Sequence, residues 1–151
     1  MAADMGNINS MNKYAYMLFN GDGIPMNKEE AAKYYKIASD KGSKEAMNKY
    51  AYMLFNGDGI PVDKKEAIKY YKMAVMKNDP EAMNSYACAL QLGEGIDANL
   101  DEAINYYKLS ADNGNKKGTY NYFLLIKNNN VIINTPSEKE FYYKAAADYG
   151  F

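Results

Sequence analysis

Histidine, tryptophan and arginine are missing from this chain of 151 residues, and cysteine occurs once, at Cys88. Without His there is no imidazole to move protons near neutral pH, and without a second Cys no disulfide closes within the chain. The same shortage leaves no soft-ligand cluster for zinc and no Cys/His nucleophile pair, so neither a metal site nor a cofactor site nor catalytic residues are expected. All 18 cations are Lys against 19 Asp and Glu. A net charge of −1 with no guanidinium fork argues against a nucleic-acid partner. No apolar run approaches the roughly 18 residues that span a bilayer, and no basic segment leads into an apolar one. Direct membrane insertion is therefore not expected, and the expected location is cytoplasmic.

Hydrophobic residues make up 48% and charged ones 25%, the balance of a folded chain. One phrase organises it. Met11 to Pro25 reads MNKYAYMLFNGDGIP, Met47 to Pro61 repeats it letter for letter, and Met83 to Asp97 gives a looser copy, MNSYACALQLGEGID, so the period is 36 residues. Self-similarity at such a period marks a solenoid, whose units bury their apolar faces by stacking on one another. The boundaries drawn from the phrase are repeat 1 at 11–46, repeat 2 at 47–82, repeat 3 at 83–118 and a degenerate capping repeat 4 at 119–151. Residues 1–10 then read as the C-terminal part of a preceding repeat, because AADMG aligns with ASDKG one period on. On that reading the chain is cut from a longer array.

Within a unit, Met11, Tyr14, Ala15 and Leu18 recur at helical spacing and define a first helix. Asn20-Gly21-Asp22-Gly23 ends it, since glycines supply the positive φ of a helix end and tight turn. That stretch resembles the start of a calcium loop, but Ala31 stands where a bidentate Glu is required, so it reads as a turn. Asn27, Asp63 and Asn99, each three residues before a Glu, start the second helices. Along those helices Ala31, Tyr34, Tyr35 and Ala38 form a core stripe that recurs in the other units. In the fourth unit Asn129 and Val131 replace the turn glycines, and Thr135-Pro136-Ser137-Glu138 reads as a strong helix start.

The period, the two-helix unit, the Gly-x-Gly-Ile turn, the Asp or Asn cap and the Ala and Tyr-Tyr stripe together resemble the Sel-one-like repeat family (SLR), relatives of the tetratricopeptide repeat. The resemblance covers nearly the whole chain. Departures are Tyr34, Tyr70 and Tyr106 where the family often has Trp, and Ala15, Ala51 and Ala87 where it often has Gly. The resemblance implies an all-α fold, a right-handed superhelical solenoid of antiparallel helix pairs with first helices lining a concave surface. It also implies a non-enzymatic scaffold or adaptor that binds other proteins.

If first helices line a groove, the residues opposite the packing stripe face it: Asn12, Lys13, Tyr16 and Asn20, then Asn48, Lys49, Tyr52 and Asn56, then Asn84, Ser85, Cys88 and Leu92. Amides beside tyrosine rings suit an extended protein or peptide segment, because amides both donate and accept and Tyr gives contact area at small entropy cost. A bland account competes, since Asn occurs 18 times and is spread along the whole chain. Phe19 and Phe55 are expected between adjacent first helices, and Met17, Met53, Met73 and Met76 as gap fillers. A second functional reading is a structural spacer or self-association region of a larger, multidomain protein, kinase-linked among the options.

Overall fold

A computed structural model describes residues 7–151. The assignment of residues 1–6 to a preceding repeat falls outside the described residues. Eight α-helices follow in order and no strand occurs among the described residues: α1 (Ile8–Asn20), α2 (Lys28–Asp40), α3 (Lys44–Asn56), α4 (Lys64–Met76), α5 (Pro80–Leu92), α6 (Leu100–Asp112), α7 (Lys116–Lys127) and α8 (Pro136–Asp148). They form two compact units, Met1–Asp79 and Pro80–Phe151. In the first, α1 packs on α2, α2 on α3 and α3 on α4; in the second, α5 packs on α6, α6 on α7 and α7 on α8.

The first helices begin a turn earlier than the stripe of apolar residues suggests. Asn7 accepts from the Ser10 N–H, Ser43 from Ala46 and Asn115 from Gly118, so α1, α3 and α7 are capped at their last orphan donors by short polar side chains. Boundaries at 11, 47 and 83 therefore fall inside helices, and Ile8 to Ser10 belong to α1. The second helices start where Asn27, Asp63 and Asn99 accept from the N–H groups of Glu30, Glu66 and Glu102. Thr135 differs: it makes no cap bond to the backbone, and its hydroxyl instead donates to Glu138 Oε2 at 3.4 Å. The expected strength of that helix start rests on Pro136 and on Glu138 in the first turn.

At the ends of the first helices Gly21, Gly57 and Gly93 take φ near 70°, and Asn129 takes the same place at 59°. Asn tolerates the left-handed region, so the fourth turn survives the loss of its glycine. Gly59 has a further reason to be glycine. A Cβ there would collide with Lys28 Cβ, so the bare backbone is what lets the α3–α4 turn lie against the start of α2.

The core of the first unit contains Met11, Ala15, Leu18, Ala31, Tyr35, Ala38 and Met53, all buried. The second buries Met83, Tyr86, Ala87, Leu90, Ala103, Tyr107, Tyr122, Leu125 and Ile126. Each helix pair is clasped by an edge-to-face tyrosine pair: Tyr14 with Tyr34 at 4.8 Å, Tyr50 with Tyr70 at 4.8 Å, Tyr86 with Tyr106 at 5.0 Å and Tyr122 with Tyr142 at 4.7 Å. Such pairs contribute roughly 0.5–1.5 kcal/mol beyond the area they bury. Small residues on the second helix, Ala31, Ala67 and Ala103, are fully buried and let the rings approach.

One packing expectation changes and another gains a partner. Phe19 and Phe55 are half-buried and each also meets its own unit's second helix: the Lys28 ammonium lies 4.8 Å over the Phe19 ring and that of Lys64 5.0 Å over Phe55. Met53 is fully buried as a gap filler and Met17 half-buried, but Met73 and Met76 are exposed.

Candidate functional site

The twelve first-helix residues divide by burial. In the first unit Tyr16 and Tyr52 are 51% and 47% exposed although both lie mid-helix, and Lys13 and Asn20 are also exposed. Lys49 is half-buried and Asn56 exposed. Asn20 and Asn56 donate from Nδ2 to the carbonyls of Tyr16 and Tyr52, at 2.9 and 3.0 Å, which keeps their Oδ1 atoms as acceptors beside the rings. Burial pushes the phenol of the core residue Tyr35 above its ordinary range, and Glu45 and Tyr16 add to the effect.

Asn12 and Asn48 do not stand on that row as accessible amides. Asn12 donates to the Ser43 hydroxyl at 2.8 Å, bracing the cap of α3, and Asn48 is only 4% exposed. Among the described residues the Oδ1 atoms of both are buried without a partner, an arrangement that costs roughly 1–3 kcal/mol each. In the second unit Asn84 is also buried and accepts from Asn121 Nδ2 at 2.8 Å, so it ties α5 to α7. Asn12 and Asn84 thus tie helices together, and Asn48 is buried. A helical wheel cannot reveal this, because it shows a polar side and not the neighbouring helix that covers it.

Ser85 and Cys88 are half-buried, and Leu92 is 66% exposed at the end of α5. The Tyr107 hydroxyl donates to Gln91 Oε1 at 2.8 Å and lies 3.2 Å from Cys88 Sγ, and its pKa is driven up chiefly by burial. Cys88 is thus a packing thiol beside a core phenol. The expectation that the row is a ladder of amides between rings reduces, in the first unit, to Lys13, Tyr16, Asn20, Lys49, Tyr52 and Asn56. Among the described residues no group of three or more His, Cys, Asp or Glu converges on a possible metal position. None of the helices is long and apolar enough to cross a membrane, again among the described residues.

Capped antiparallel helix pairs at a fixed period define the class, an all-α solenoid of the tetratricopeptide kind. The profile of the Sel1 repeat matches residues 8–43, 44–79 and 80–115, and the chain belongs to the Sel1 repeat family. The matched segments start where α1, α3 and α5 start. A Sel1 repeat protein from Oxalobacter formigenes superposes with a TM-score of 0.86 at 28% identity, over 97% of this chain and 60% of that one. A protective antigen of uropathogenic Escherichia coli displaying an SLR fold gives 0.88 at 23% identity, over 99% of this chain and 32% of that one. An immunity protein from Pseudomonas aeruginosa gives 0.67 at 18% identity, over 95% and 54%. The chain therefore spans less than two thirds of the length of these structures. No curated protein matches it by sequence. Proteins of the Sel1 family are generally protein-interaction scaffolds.

Proposed function

We propose that this chain binds a segment of another protein along its first-helix row and performs no catalysis. The observation that carries the reading is the pair Tyr16 and Tyr52, half-exposed on α1 and α3 one period apart, while Met11, Ala15 and Leu18 on the other side of α1 are buried. Rings held by a rigid helix at regular spacing give contact area without the entropy cost of ordering a loop. Lys13 and Lys49, with the free oxygens of Asn20 and Asn56, add donors and acceptors for a peptide backbone. The test selects extended peptides by display on the intact chain and measures them against the double substitution Tyr16→Ala, Tyr52→Ala. Affinity should fall at least about tenfold, or about 1.4 kcal/mol, with the melting temperature unchanged. Binding that survives both changes would place the partner elsewhere.

A self-association reading has its own observation. Ile37 and Met73 stand in the same register on α2 and α4 and are 43% and 38% exposed. Sedimentation of the intact chain and of Ile37→Ser, Met73→Ser measures it; a concentration-dependent dimer lost in that variant would favour self-association over segment binding.

A further inference from the structure

We propose that the second unit carries a neutral anchor pocket, between the ends of α5 and α7 and the start of α6, for one aromatic side chain of a partner polypeptide together with the peptide group that bears it. The pocket holds about 340 Å³, at the lower end of the range for ligand sites. Its wall is built by Leu100, Leu124 and Leu125, and its rim by the amides of Gln91, Asn121, Asn128 and Asn130.

The first unit shows what ordinarily occupies this place. Moving Gln91, Leu100 and Asn130 back by two periods gives Phe19, Lys28 and Asp58. There the Phe19 ring lies under the Lys28 ammonium at 4.8 Å, and Lys28 pairs with Asp58 at 2.6 Å, so ring, cation and anion close the space from within the chain. Leu124 and Asn121 likewise stand where Tyr52 and Lys49 do. The second unit has thus lost both rings, both cations and the anion from one place. What replaces them is leucine surface and uncharged amide.

That chemistry selects the occupant. A charged side chain entering the pocket would lose water and find no counter-charge, whereas an uncharged ring gains leucine contacts. Two of the amides are half engaged. Asn121 spends Nδ2 on Asn84 and keeps Oδ1 as an acceptor, and Gln91 receives the Tyr107 hydroxyl at Oε1 and keeps Nε2 as a donor. One acceptor and one donor match the N–H and C=O of a peptide group. Asn121, Leu124 and Asn128 stand on α7 at the register of Lys49, Tyr52 and Asn56, but the pocket shares no residue with the first unit's row, so failure of the Tyr16→Ala, Tyr52→Ala test and failure of the test below are distinguishable.

The test titrates the intact, 15N-labelled chain with N-acetyl-phenylalanine methylamide, N-acetyl-alanine methylamide, N-acetyl-lysine methylamide and toluene, reading the side-chain amide signals of Gln91, Asn121, Asn128 and Asn130. The phenylalanine probe should saturate with a Kd on the order of millimolar, and the alanine and lysine probes should bind at least about fivefold more weakly. Toluene should leave the amide signals of Asn121 and Gln91 in place. The triple variant Gln91→Phe, Leu100→Lys, Asn130→Asp rebuilds the closure of the first unit and should abolish the shifts while the helical circular dichroism is kept. Gln91→Phe alone, the milder change, should weaken the phenylalanine probe at least about threefold. Equal shifts from the alanine or lysine probe, or shifts retained in a folded Gln91→Phe variant, would overturn the proposal.

Discussion

A Cβ built at Gly118 would run into the Ser110 side chain well inside contact distance, although Gly118 sits inside α7, where Ala adds helix stability. The two positions correspond to Ala46 and Ala38 of the first unit, both fully buried. In the second unit the larger Ser110, whose hydroxyl donates to the Pro80 carbonyl at 2.6 Å, is matched by a smaller residue opposite. Gly118→Ala alone should therefore destabilise by about 1–3 kcal/mol through overpacking, despite its better propensity. Adding Ser110→Ala restores the alanine pair of the first unit and removes the hydroxyl but not the Cβ from the clash, so it should recover part of that loss, a favourable coupling of about 1 kcal/mol. Urea unfolding of the four proteins of this cycle checks it; strictly additive effects would show that the two side chains do not share the space.

At the scale of the helix, Tyr70 shows what the repeated stripe does. It is buried, meets Tyr50 edge to face at 4.8 Å and points its hydroxyl at Asp40 from 3.5 Å. Tyr70→Ala should cost on the order of 3 kcal/mol, the size of a large-to-small core change. Tyr70→Phe keeps the ring pair and should cost about 1 kcal/mol or less, since the hydrogen bond it removes is long. Full stability in Tyr70→Ala, measured by thermal unfolding, would mean the ring carries no packing. The stripe was legible because both its period and its chemistry repeat. The helix starts at Asn7, Ser43 and Asn115 were not, because a lone Asn or Ser is common in this sequence and becomes a cap only when the next N–H groups turn toward it. Nor was the burial of Asn48 legible, since a polar position on a helical wheel does not show what packs over it. The pocket by Gln91 did leave a trace in the sequence: three coordinated positions, Phe19, Lys28 and Asp58, all change character two periods on.

For the whole chain, the tyrosines that hold every helix pair also set a limit on the alkaline side. Burial raises Tyr70, Tyr86 and Tyr142 from 10.0 to about 12, with Asp40, Glu102 and Asp112 respectively opposing the phenolate, and Tyr35 and Tyr107 go further in the same direction. In the unfolded chain these phenols ionise near pH 10. Below that pH both states hold the proton and stability does not depend on it. Between pH 10 and about 12 the unfolded state has released protons that the folded state retains, so each such tyrosine lowers stability by up to about 1.4 kcal/mol per pH unit as pH rises. Lys108, raised by its hydrogen bonds to Tyr142 and Asp112 against the cost of burial, acts with the same sign, its contribution being present below pH 10.5 and lost above it. The melting temperature should therefore be flat from pH 8 to about 9.5 and fall increasingly steeply above pH 10. Tyr86→Phe should flatten the descent by about one proton while lowering stability only slightly at pH 8, which separates the phenol from the titration of the lysines. A melting temperature that stays level up to pH 11.5, or an unchanged slope in Tyr86→Phe, would show that these phenols ionise as freely in the folded chain as in the unfolded one.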